Sequence, residues 1–279
     1  MSERQRKLAV FAGRGMLPAA VIQAAVGDGR DVFVLGIEGE TDPDLIADYD
    51  HAWVKLGAVG RTIDLLHRAS VDDIVMIGAI NRPSFGDLKP DLRGMQLLAK
   101  LGMKAAIGDD HLLSTVVREL EGEGFRVIGA DEIIQPMLAP EGLITGASPD
   151  EDARLDIELG FDVAMKIGEL DIGQAVIVQD RRVLGVEAIE GTDALIQRVG
   201  SLKRGQLGGV LVKVKKPGQD RRADLPTVGD RTVALTIGAG LAGIAVHAGH
   251  CLLVNRASMI EKADRAGLFI TGISGDEEA

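Results

Sequence analysis

Short, nearly continuous apolar runs alternate with segments of helical character in the first half of the chain. The apolar runs predict strands at residues 7–13, 31–37, 51–56, 72–80 and 125–130. The segments between them predict helices at residues 19–26, 61–70, 89–102 and 111–121. Strands that are apolar on both faces and alternate with helices are typical of a parallel sheet covered on both sides. We therefore predict an α/β fold that begins with a Rossmann-like parallel-sheet domain.

The regular alternation of strands and helices ends between residues 131 and 150, where Pro136, Pro140 and Pro149 stand among glycines. Clusters of proline and glycine mark loops and domain boundaries. We predict a first domain at residues 1–132 and a second α/β domain at residues 133–279. In the second domain, we predict helices from a Ser148 cap to residue 170, at residues 192–202 and at residues 257–267. We predict strands at residues 208–216 and 268–273, and a hairpin at residues 174–188 with its turn at 180–182.

Residues 233–254 contain no Asp, Glu, Lys or Arg, and their length would suffice for a membrane span. Glycines, together with His247 and His250, divide this segment. We therefore predict a strand, a glycine turn, a short helix and a second strand, all buried in the core of the second domain.

The amino-acid composition argues against several classes of protein. Hydrophobic residues make up 46% of the 279 residues, which allows a substantial core and argues against a disordered chain. The formal net charge of -11 argues against nucleic acid as a partner. The single cysteine, Cys251, excludes an intrachain disulfide and lies in an apolar run, so we predict a core residue in a reducing compartment. The N-terminus shows no signal-peptide pattern, and we expect a cytoplasmic protein.

Cations cluster at residues 213–229, KVKKPGQDRRADLPTVG, in an otherwise acidic chain. A cationic patch on an anionic protein is expected at an anion site, because the patch must outweigh a repulsive background. Gln219, Asp220 and Asp224 stand among these cations. Cations, carboxylates and an amide on a loop stiffened by proline are what phosphoryl chemistry needs for charge neutralisation, metal binding and orientation. A basic, solvated turn between two strands is the alternative interpretation.

Side chains alternate along the strand that precedes this loop. Leu211, Lys213 and Lys215 fall on one face, and the valines between them fall on the other. We therefore expect Lys213 and Lys215 to lie side by side.

Three further motifs stand at the start of a predicted helix. GRGMLP and EGTDALIQR can hold an anion there, and in GDDHLL His111 beside two acids can be a ligand or a proton shuttle. Gly13 and Gly15 belong to GRGMLP, whose backbone N–H groups suit a phosphate, although Pro18 stands where a dinucleotide fingerprint needs its third glycine. Asp110 and His111 open a predicted helix in GDDHLL, and Thr192 does so in EGTDALIQR. Each motif also has a simpler interpretation as a tight turn or a helix cap. In a parallel sheet, strand-to-helix turns converge at the carboxyl edge, where ligands bind.

Taken together, the motifs resemble one family. GRGMLP, GDDHLL, LDIGQAVIV, VEAIEGTDALI and KPGQDRRADLPTVG are similar, in this order, to motifs of the LpxI-type UDP-2,3-diacylglucosamine diphosphatases of Gram-negative bacteria. The resemblance covers nearly the whole chain. It implies hydrolysis of a lipid-linked UDP-sugar, UDP-2,3-diacylglucosamine, to UMP and 2,3-diacylglucosamine 1-phosphate, a precursor of lipid A. It also implies two domains with substrate between them, a divalent metal such as Mg²⁺, and attack by water on the phosphorus at the sugar side.

The resemblance further implies roles for single residues. Asp224 is the principal catalytic candidate, as a metal ligand or as the group that orients the attacking water, and Asp220 is the second candidate. The substrate-binding candidates are Gly13, Gly15, Asp110, His111, Thr192, Lys213, Gln219, Arg222 and Thr227. Hydrated Mg²⁺ held by one or two carboxylates and by substrate phosphates is the usual arrangement for this ion.

The lipid substrate implies transient contact with the cytoplasmic face of the inner membrane. We expect its acyl chains to lie against residues 235–246 or near Met137 and Leu138.

Two other interpretations stay open at the level of sequence. The chain can be a non-catalytic nucleotide-sugar sensor, in which Asp220 and Asp224 only pair with Arg221 or Arg222. It can also be a Rossmann-type nucleotide-sugar enzyme such as an oxidoreductase or a glycosyltransferase, although the broken glycine fingerprint argues against a dinucleotide. Homo-oligomerisation is left open as well.

Overall fold

The contacts within the chain divide it into two compact units. The computed structural model describes residues 6–81, 89–101, 109–202, 205, 208–218, 221–222 and 225–275, without the side chains of residues 100–101 and 109–112. Unit 1 consists of Met1–Gln135 and Asp220–Asp224, and unit 2 consists of Pro136–Gln219 and Leu225–Ala279. The domain limits of 1–132 and 133–279 stay a prediction, and the division by contacts differs from them in grouping residues 220–224 with unit 1.

Unit 1 is built on parallel strands. They are β1 (Leu8–Ala12), β2 (Val32–Ile37), β3 (His51–Val54), β4 (Asp73–Ile77) and β5 (Arg126–Ile128). The helices are α1 (Leu17–Gly27), α2 (Pro43–Ile46), α3 (Val59–Arg68), α4 (Leu92–Leu101) and α5 (Asp109–Gly122). In the described part of the unit, the strands form one sheet in the order β3-β2-β1-β4-β5. The direction of winding reverses between β1 and β4, which is where such sheets bind ligands.

The two central strands of this sheet are apolar on both faces. Leu8, Ala9 and Val10 of β1 are completely buried, and so are Ile74 and Val75 of β4. Strands of this kind need cover on both sides, which the helices that alternate with them provide. The predicted α/β fold with a parallel sheet in the N-terminal part is confirmed.

Unit 2 is built on a mixed sheet. Its strands are β6 (Gly142–Leu143), β7 (Ala175–Gln179), β8 (Arg182–Val186), β9 (Val210–Lys213), β10 (Thr227–Val228), β11 (Gly243–His247), β12 (Leu252–Leu253) and β13 (Phe269–Ile273). Its helices are α6 (Glu151–Glu169), α7 (Gly191–Val199), α8 (Asp230–Gly238) and α9 (Arg256–Ala266). Among the described residues, the sheet has the order β6-β13-β11-β9-β7-β8, and β10 pairs with β12. The parallel strands β9, β11 and β13 end at one edge.

The alternation predicted for β9 is confirmed within the strand. Leu211 packs in one buried cluster, and Val210 and Val212 pack in another on the opposite face. Lys213 follows Leu211 by two residues and therefore points to the same face. The strand ends at Lys213, so the expectation that Lys215 continues it is wrong.

A buried carboxylate fixes the predicted hairpin of β7 and β8. The turn consists of Asp180 and Arg181, whose φ angles of 53° and 57° are those of a left-handed hairpin turn. The carboxylate of Asp156 accepts hydrogen bonds from their backbone N–H groups, at 3.1 and 2.6 Å. Burial raises the pKa of Asp156, although both hydrogen bonds act against this shift.

The start of α6 differs from the prediction. Asp150 is the N-cap, and its Oδ1 atom accepts a hydrogen bond from the backbone N–H of Ala153 at 2.8 Å. The predicted cap at Ser148 is therefore wrong. Two acidic residues occupy the first turn of this helix, where they interact favourably with the helix dipole.

Residues 233–254 belong to unit 2 and include fully buried core positions, as predicted, but their first part is helical. Val233 lies inside α8, so the predicted opening strand is wrong, and the strand β11 follows after the glycine turn at Gly240. A short apolar run cannot be assigned to helix or strand from periodicity alone, which explains the difference. Among the helices that the structure describes, none combines the length and the apolar character that a membrane crossing requires.

Candidate anion site and its relatives

A buried lysine lies at the carboxyl edge of the sheet in unit 2. Lys213 is the last residue of β9 and is only 7% exposed. Its Nζ atom donates hydrogen bonds to Oγ1 of Thr192 at 3.0 Å and to the backbone oxygen of Thr227 at 3.1 Å. The structure thus brings together three of the residues that the sequence predicts as substrate-binding, and Thr192 comes from a different motif than Lys213 and Thr227.

Thr192 connects this lysine to a carboxylate that sequence reasoning missed. The Oγ1 atom of Thr192 lies 2.6 Å from Oε1 of Glu187, which follows β8 directly and is 6% exposed. The other carboxylate oxygen of Glu187 accepts a hydrogen bond from the backbone N–H of Gln174 at 3.0 Å. Thr192 is the second residue of α7, after the N-cap Glu190, so the cap interpretation of Thr192 is wrong.

Two helices begin beside the buried lysine. Thr192 belongs to the first turn of α7, and Thr227 lies in the short segment that leads into α8. An ion pair of 2.6 Å between Asp193 and Arg231 joins the first turns of the two helices. Helix N-termini carry partial positive charge and exposed N–H donors, so both helix starts favour an anion. The arrangement can therefore neutralise and orient a phosphate group.

Cys251 lies close to this lysine, and its burial argues against a role as a nucleophile. It is completely buried, and burial raises the pKa of its thiol to about 12, although the charge of Lys213 acts in the opposite direction. A thiol with such a pKa is protonated at neutral pH and is a poor nucleophile. The prediction that Cys251 is a core residue is confirmed.

In unit 1, the GRGMLP loop lies at the switch point between β1 and β4. The backbone N–H of Gly13 donates to the carbonyl of Ile77 at 2.8 Å, and a Cβ atom on Gly13 would lie 2.7 Å from the carbonyl oxygen of Ala79. Gly13 is therefore required by the close approach of two chain segments, and its N–H group is already used. Gly15 has a φ of 97° and open space where a side chain would stand, which suits the approach of a ligand to the backbone.

A polar cluster surrounds this loop at the same edge. Arg14 contacts the carboxylate of Glu40 at 2.8 Å and donates to the side-chain oxygen of Asn81 at 2.6 Å. The backbone N–H of Asn81 donates in turn to Glu40 at 3.1 Å. Glu40 follows β2, the position at which sheets of this type often carry an acid for ribose hydroxyls. Arg14 and Asn81 were not predicted from the sequence, since single polar residues in loops carry no periodic pattern.

The remaining predicted site residues are placed as follows. Asp110 and His111 belong to the first turn of α5, and their side chains lie outside the described residues. Gln219, Asp220 and Asp224 also lie outside them. The described part of the chain contains no group of three or more His, Cys, Asp or Glu residues that could hold a metal ion. The catalytic and metal-binding roles of Asp220 and Asp224 stay predictions.

The two arginines of the DRRAD segment pair with carboxylates of unit 1. Arg222 lies 2.6 Å from Glu121, and Arg221 lies 2.7 Å from Asp131. All four side chains are partly exposed, so each pair contributes little to stability. The role of Arg222 in binding a diphosphate stays a prediction.

These features define a class: an α/β protein of two units with a candidate anion site at the carboxyl edge of its second sheet. The comparisons with known proteins make the assignment more specific. Residues 7–137 match the LpxI N-terminal domain, and residues 140–271 match the LpxI C-terminal domain. The chain belongs to the LpxI family, and the resemblance expected from the motifs is confirmed.

One curated relative matches over almost its whole length. The chain is 40% identical to the UDP-2,3-diacylglucosamine pyrophosphatase LpxI of Caulobacter vibrioides, over 98% of this chain and 99% of the relative. Solved structures give only weak similarity. The biotin carboxylase domain of the 2-oxoglutarate carboxylase from Hydrogenobacter thermophilus is 15% identical, with a TM-score of 0.27 over 71% of this chain and 41% of that chain. This similarity carries no argument about function.

Proposed function

We propose that this chain hydrolyses UDP-2,3-diacylglucosamine to UMP and 2,3-diacylglucosamine 1-phosphate. The observation that carries the proposal is the match to both LpxI domains, together with 40% identity to a relative that bears this activity in its name. Both matches support the hydrolase and not the sensor or the Rossmann-type nucleotide-sugar enzyme. The buried Lys213 supports the same proposal from the structure, because a diphosphate is the kind of group that a buried ammonium between two helix starts attracts.

The proposed reaction exchanges one phosphorus–oxygen bond for another. Water attacks the phosphorus on the sugar side, its oxygen becomes part of 2,3-diacylglucosamine 1-phosphate, and the bridging oxygen leaves with UMP. Hydrolysis in H₂¹⁸O should therefore place the label in the sugar phosphate, and label in UMP would contradict this direction of attack. Charge builds up on the leaving oxygen and on the attacked phosphoryl group, and positioned cations stabilise it. Lys213 supplies one such cation, and Arg222 is the second candidate.

Asp224 and Asp220 are proposed to hold Mg²⁺ and to orient the attacking water. Carboxylate oxygens are the ligands that this hard ion prefers, so the two residue types fit the ion. When bound, Mg²⁺ neutralises phosphate charge. The substrate phosphates are proposed to complete the set of ligands.

The test of this function is release of UMP from UDP-2,3-diacylglucosamine with Mg²⁺ and with EDTA. We expect release with Mg²⁺ that stops when EDTA is added. The variant Asp224→Ala should lower turnover by about 10³-fold or more, whereas Asp162→Ala, on an exposed position of α6, should leave it unchanged. Full turnover of Asp224→Ala would remove this residue from the mechanism, and absence of release by the wild type would reject the hydrolase.

The lipid part of the substrate is proposed to meet apolar side chains next to the Lys213 site. Leu170, Ile172 and Ile189 are exposed, Ile189 to 86%. They lie on two adjacent segments, as shown by the close approach of Gly173 to the backbone oxygen of Glu187, which leaves no room for a Cβ atom. Exposed apolar side chains beside a polar site suit a substrate that carries acyl chains. The sequence-based expectation offered two places for these chains. At residues 235–246, Leu241 and Ile244 are buried in the core. The alternative near Met137 and Leu138 stays a prediction.

This lipid contact predicts transient binding to the cytoplasmic face of the inner membrane. The test is co-sedimentation with vesicles of phosphatidylethanolamine and phosphatidylglycerol that contain the substrate. Ile189→Glu should lower the bound fraction. Val26→Glu makes the same change at an exposed apolar position of unit 1 and should not. Equal binding of the two variants would contradict the contact.

A further inference from the structure

Glu187 is a buried carboxylate with no role in the predicted site. Each of its oxygens accepts one hydrogen bond, from the hydroxyl of Thr192 and from the backbone N–H of Gln174. Among the residues that the structure describes, no lysine or arginine forms an ion pair with Glu187. Burying a carboxylate is costly unless its oxygens are hydrogen-bonded. The position of the Glu187 carboxylate, buried beside the polar groups of the candidate site, indicates that it orients those groups.

The direction of the hydrogen bonds between Glu187, Thr192 and Lys213 is fixed by their chemistry. An ammonium group has only donors and a carboxylate has only acceptors. The hydroxyl of Thr192 stands between them, 3.0 Å from Nζ of Lys213 and 2.6 Å from Oε1 of Glu187. Thr192 therefore accepts from Lys213 and gives its single hydrogen to Glu187. That hydrogen is not available for a phosphate oxygen.

Two acceptors on different elements hold the ammonium group of Lys213. One is the hydroxyl of Thr192 in α7, and the other is the carbonyl of Thr227 in β10. They use two of the three N–H donors of the ammonium. The third donor has no acceptor among the described residues and is the one left for an anion. A cation that is held in place before the substrate arrives needs no reorganisation during the reaction.

We propose that Glu187 is a positioning residue that fixes the hydroxyl of Thr192 and, through it, the ammonium group of Lys213. The inference rests on the proposed function, since it takes the diphosphate of the substrate as the anion that Lys213 meets. It assigns to Thr192 a role as the link between Glu187 and Lys213, in place of the direct contact with substrate expected from the sequence.

The variant Glu187→Gln tests this arrangement at nearly constant shape. A glutamine has one acceptor oxygen and one donor amide group. The backbone N–H of Gln174 and the hydroxyl of Thr192 both need an acceptor at residue 187. One of the two hydrogen bonds is therefore lost, and the hydroxyl of Thr192 becomes free to turn. Hydrogen-bond partners that orient a metal ligand typically contribute about 10- to 100-fold. We expect a similar factor for this orienting hydrogen bond, as a fall in kcat/KM for UMP release.

The matched controls separate positioning from a general effect on folding. Glu190→Gln removes a carboxylate from the same segment, where it pairs with the partly exposed Arg198 at 2.8 Å, and should leave kcat/KM nearly unchanged. Thr192→Val removes the linking hydroxyl and should lower kcat/KM as Glu187→Gln does, whereas Thr192→Ser keeps the hydroxyl and should retain activity. Thermal unfolding of each variant shows that the compared proteins are folded.

The double variant Glu187→Gln/Thr192→Val gives the readout that a merely structural role would not produce. If Glu187 acts through Thr192, the second change adds less than about twofold to the first, because coupled residues are not additive. Fully multiplied effects, or an unchanged kcat/KM of folded Glu187→Gln, would overturn the inference.

Binding of UDP, measured by calorimetry, distinguishes this inference from the proposed function. A wild type that releases no UMP would reject the proposed function, while weaker UDP binding by Glu187→Gln than by Glu190→Gln would still support the positioning role. Equal UDP binding by these two variants would reject the positioning role. A wild type that neither releases UMP nor binds UDP would reject both.

Discussion

The Nζ atom of Lys213 lies 3.0 Å from the Oγ1 atom of Thr192. This contact joins two motifs of the chain, EGTDALI and KVKKPG, at one edge of the sheet in unit 2. It places a buried cation at the end of a parallel strand and beside the first turn of a helix, where both the charge and the helix dipole favour an anion. The interaction therefore links the fold of unit 2 to its proposed chemistry.

Replacement of Lys213 should remove most of the activity. We expect Lys213→Met to lower kcat/KM for UMP release by about 100-fold or more, because one preorganised donor contributes this much to stabilising a developing charge. Lys213→Arg should recover only part of this loss, since a planar guanidinium cannot place its donors as an ammonium does. Lys166→Met, at an exposed position of α6, is the control for loss of a charge. Equal activity of Lys213→Met and Lys166→Met would show that Lys213 does not meet the substrate.

Much of the fold follows from the sequence because the strands of unit 1 are apolar on both faces. A parallel sheet covered by helices on both faces buries runs such as β1 and β4, and their alternation with helical segments predicts this architecture. Where an apolar run was short, the pattern of hydrophobic residues did not distinguish a helix from a strand. Val233 lies in a helix although its neighbours are typical of a strand, and the tertiary context of unit 2 decided between the two.

The candidate site was predicted in Lys213, Thr192 and Thr227 but not in the carboxylate that accepts the hydrogen bond of Thr192. Lys213 and Thr192 stood out because they belong to motifs with unusual charge or helix-start patterns. Glu187 did not, because a single acid at the end of a strand is most often a solvated residue. Its burial and its hydrogen bond to Thr192 are visible only when β8 and α7 are placed side by side. The one sequence signal for Glu187 was that it is an acid in an apolar stretch of the predicted hairpin.

Replacement of Asp73 should destabilise unit 1 strongly. This carboxylate is almost fully buried and contacts Arg6, Arg30 and Arg126 at 2.7, 2.6 and 3.0 Å. Removing one member of a buried charged network costs about 3–5 kcal/mol, because the other charges lose their partner. We expect Asp73→Asn to lower the free energy of unfolding by an amount near the lower end of that range, since the arginines are partly exposed. Chemical denaturation measures it, and Asp64→Asn on an exposed face of α3 is the control.

The contribution of Asp73 to stability should depend on pH with a defined sign. Burial raises the pKa of Asp73, but the hydrogen bonds from Arg126, Arg30 and Arg6 and the charge of Arg126 together lower it more, so that the pKa lies below its usual value of 3.8. A carboxyl group whose folded-state pKa is lowered stabilises the fold above its unfolded pKa, and this stabilisation is lost as the pH falls through the folded pKa. The difference between wild type and Asp73→Asn should therefore be constant at neutral pH and shrink below pH 4. A difference that grows in acid would contradict this assignment.

A side chain at Gly13 should disturb the loop at the switch point of unit 1. The Cβ atom of an alanine there would lie 2.7 Å from the backbone of both Gly78 and Ala79, which cannot move away as a flexible side chain can. We expect Gly13→Ala to lower the midpoint of thermal unfolding by several degrees, whereas Gly27→Ala, where the Cβ atom meets open space at the end of α1, should leave it unchanged or raise it. Equal midpoints for both variants would show that the loop at Gly13 does not approach the backbone of Gly78 and Ala79 as closely as described.

Cys251 should resist thiol reagents as long as the protein is folded. Its thiol is fully buried with a pKa of about 12, so at pH 8 only about one molecule in 10⁴ carries the reactive thiolate. We expect no reaction with 5,5′-dithiobis(2-nitrobenzoate) in buffer and one equivalent of released thiolate in guanidinium chloride, because the chain contains a single cysteine. UMP release should be the same before and after exposure of the folded protein to the reagent. Rapid reaction of the folded protein would mean that the core around Lys213 opens to solvent, and the ammonium group would then no longer be held in a buried site.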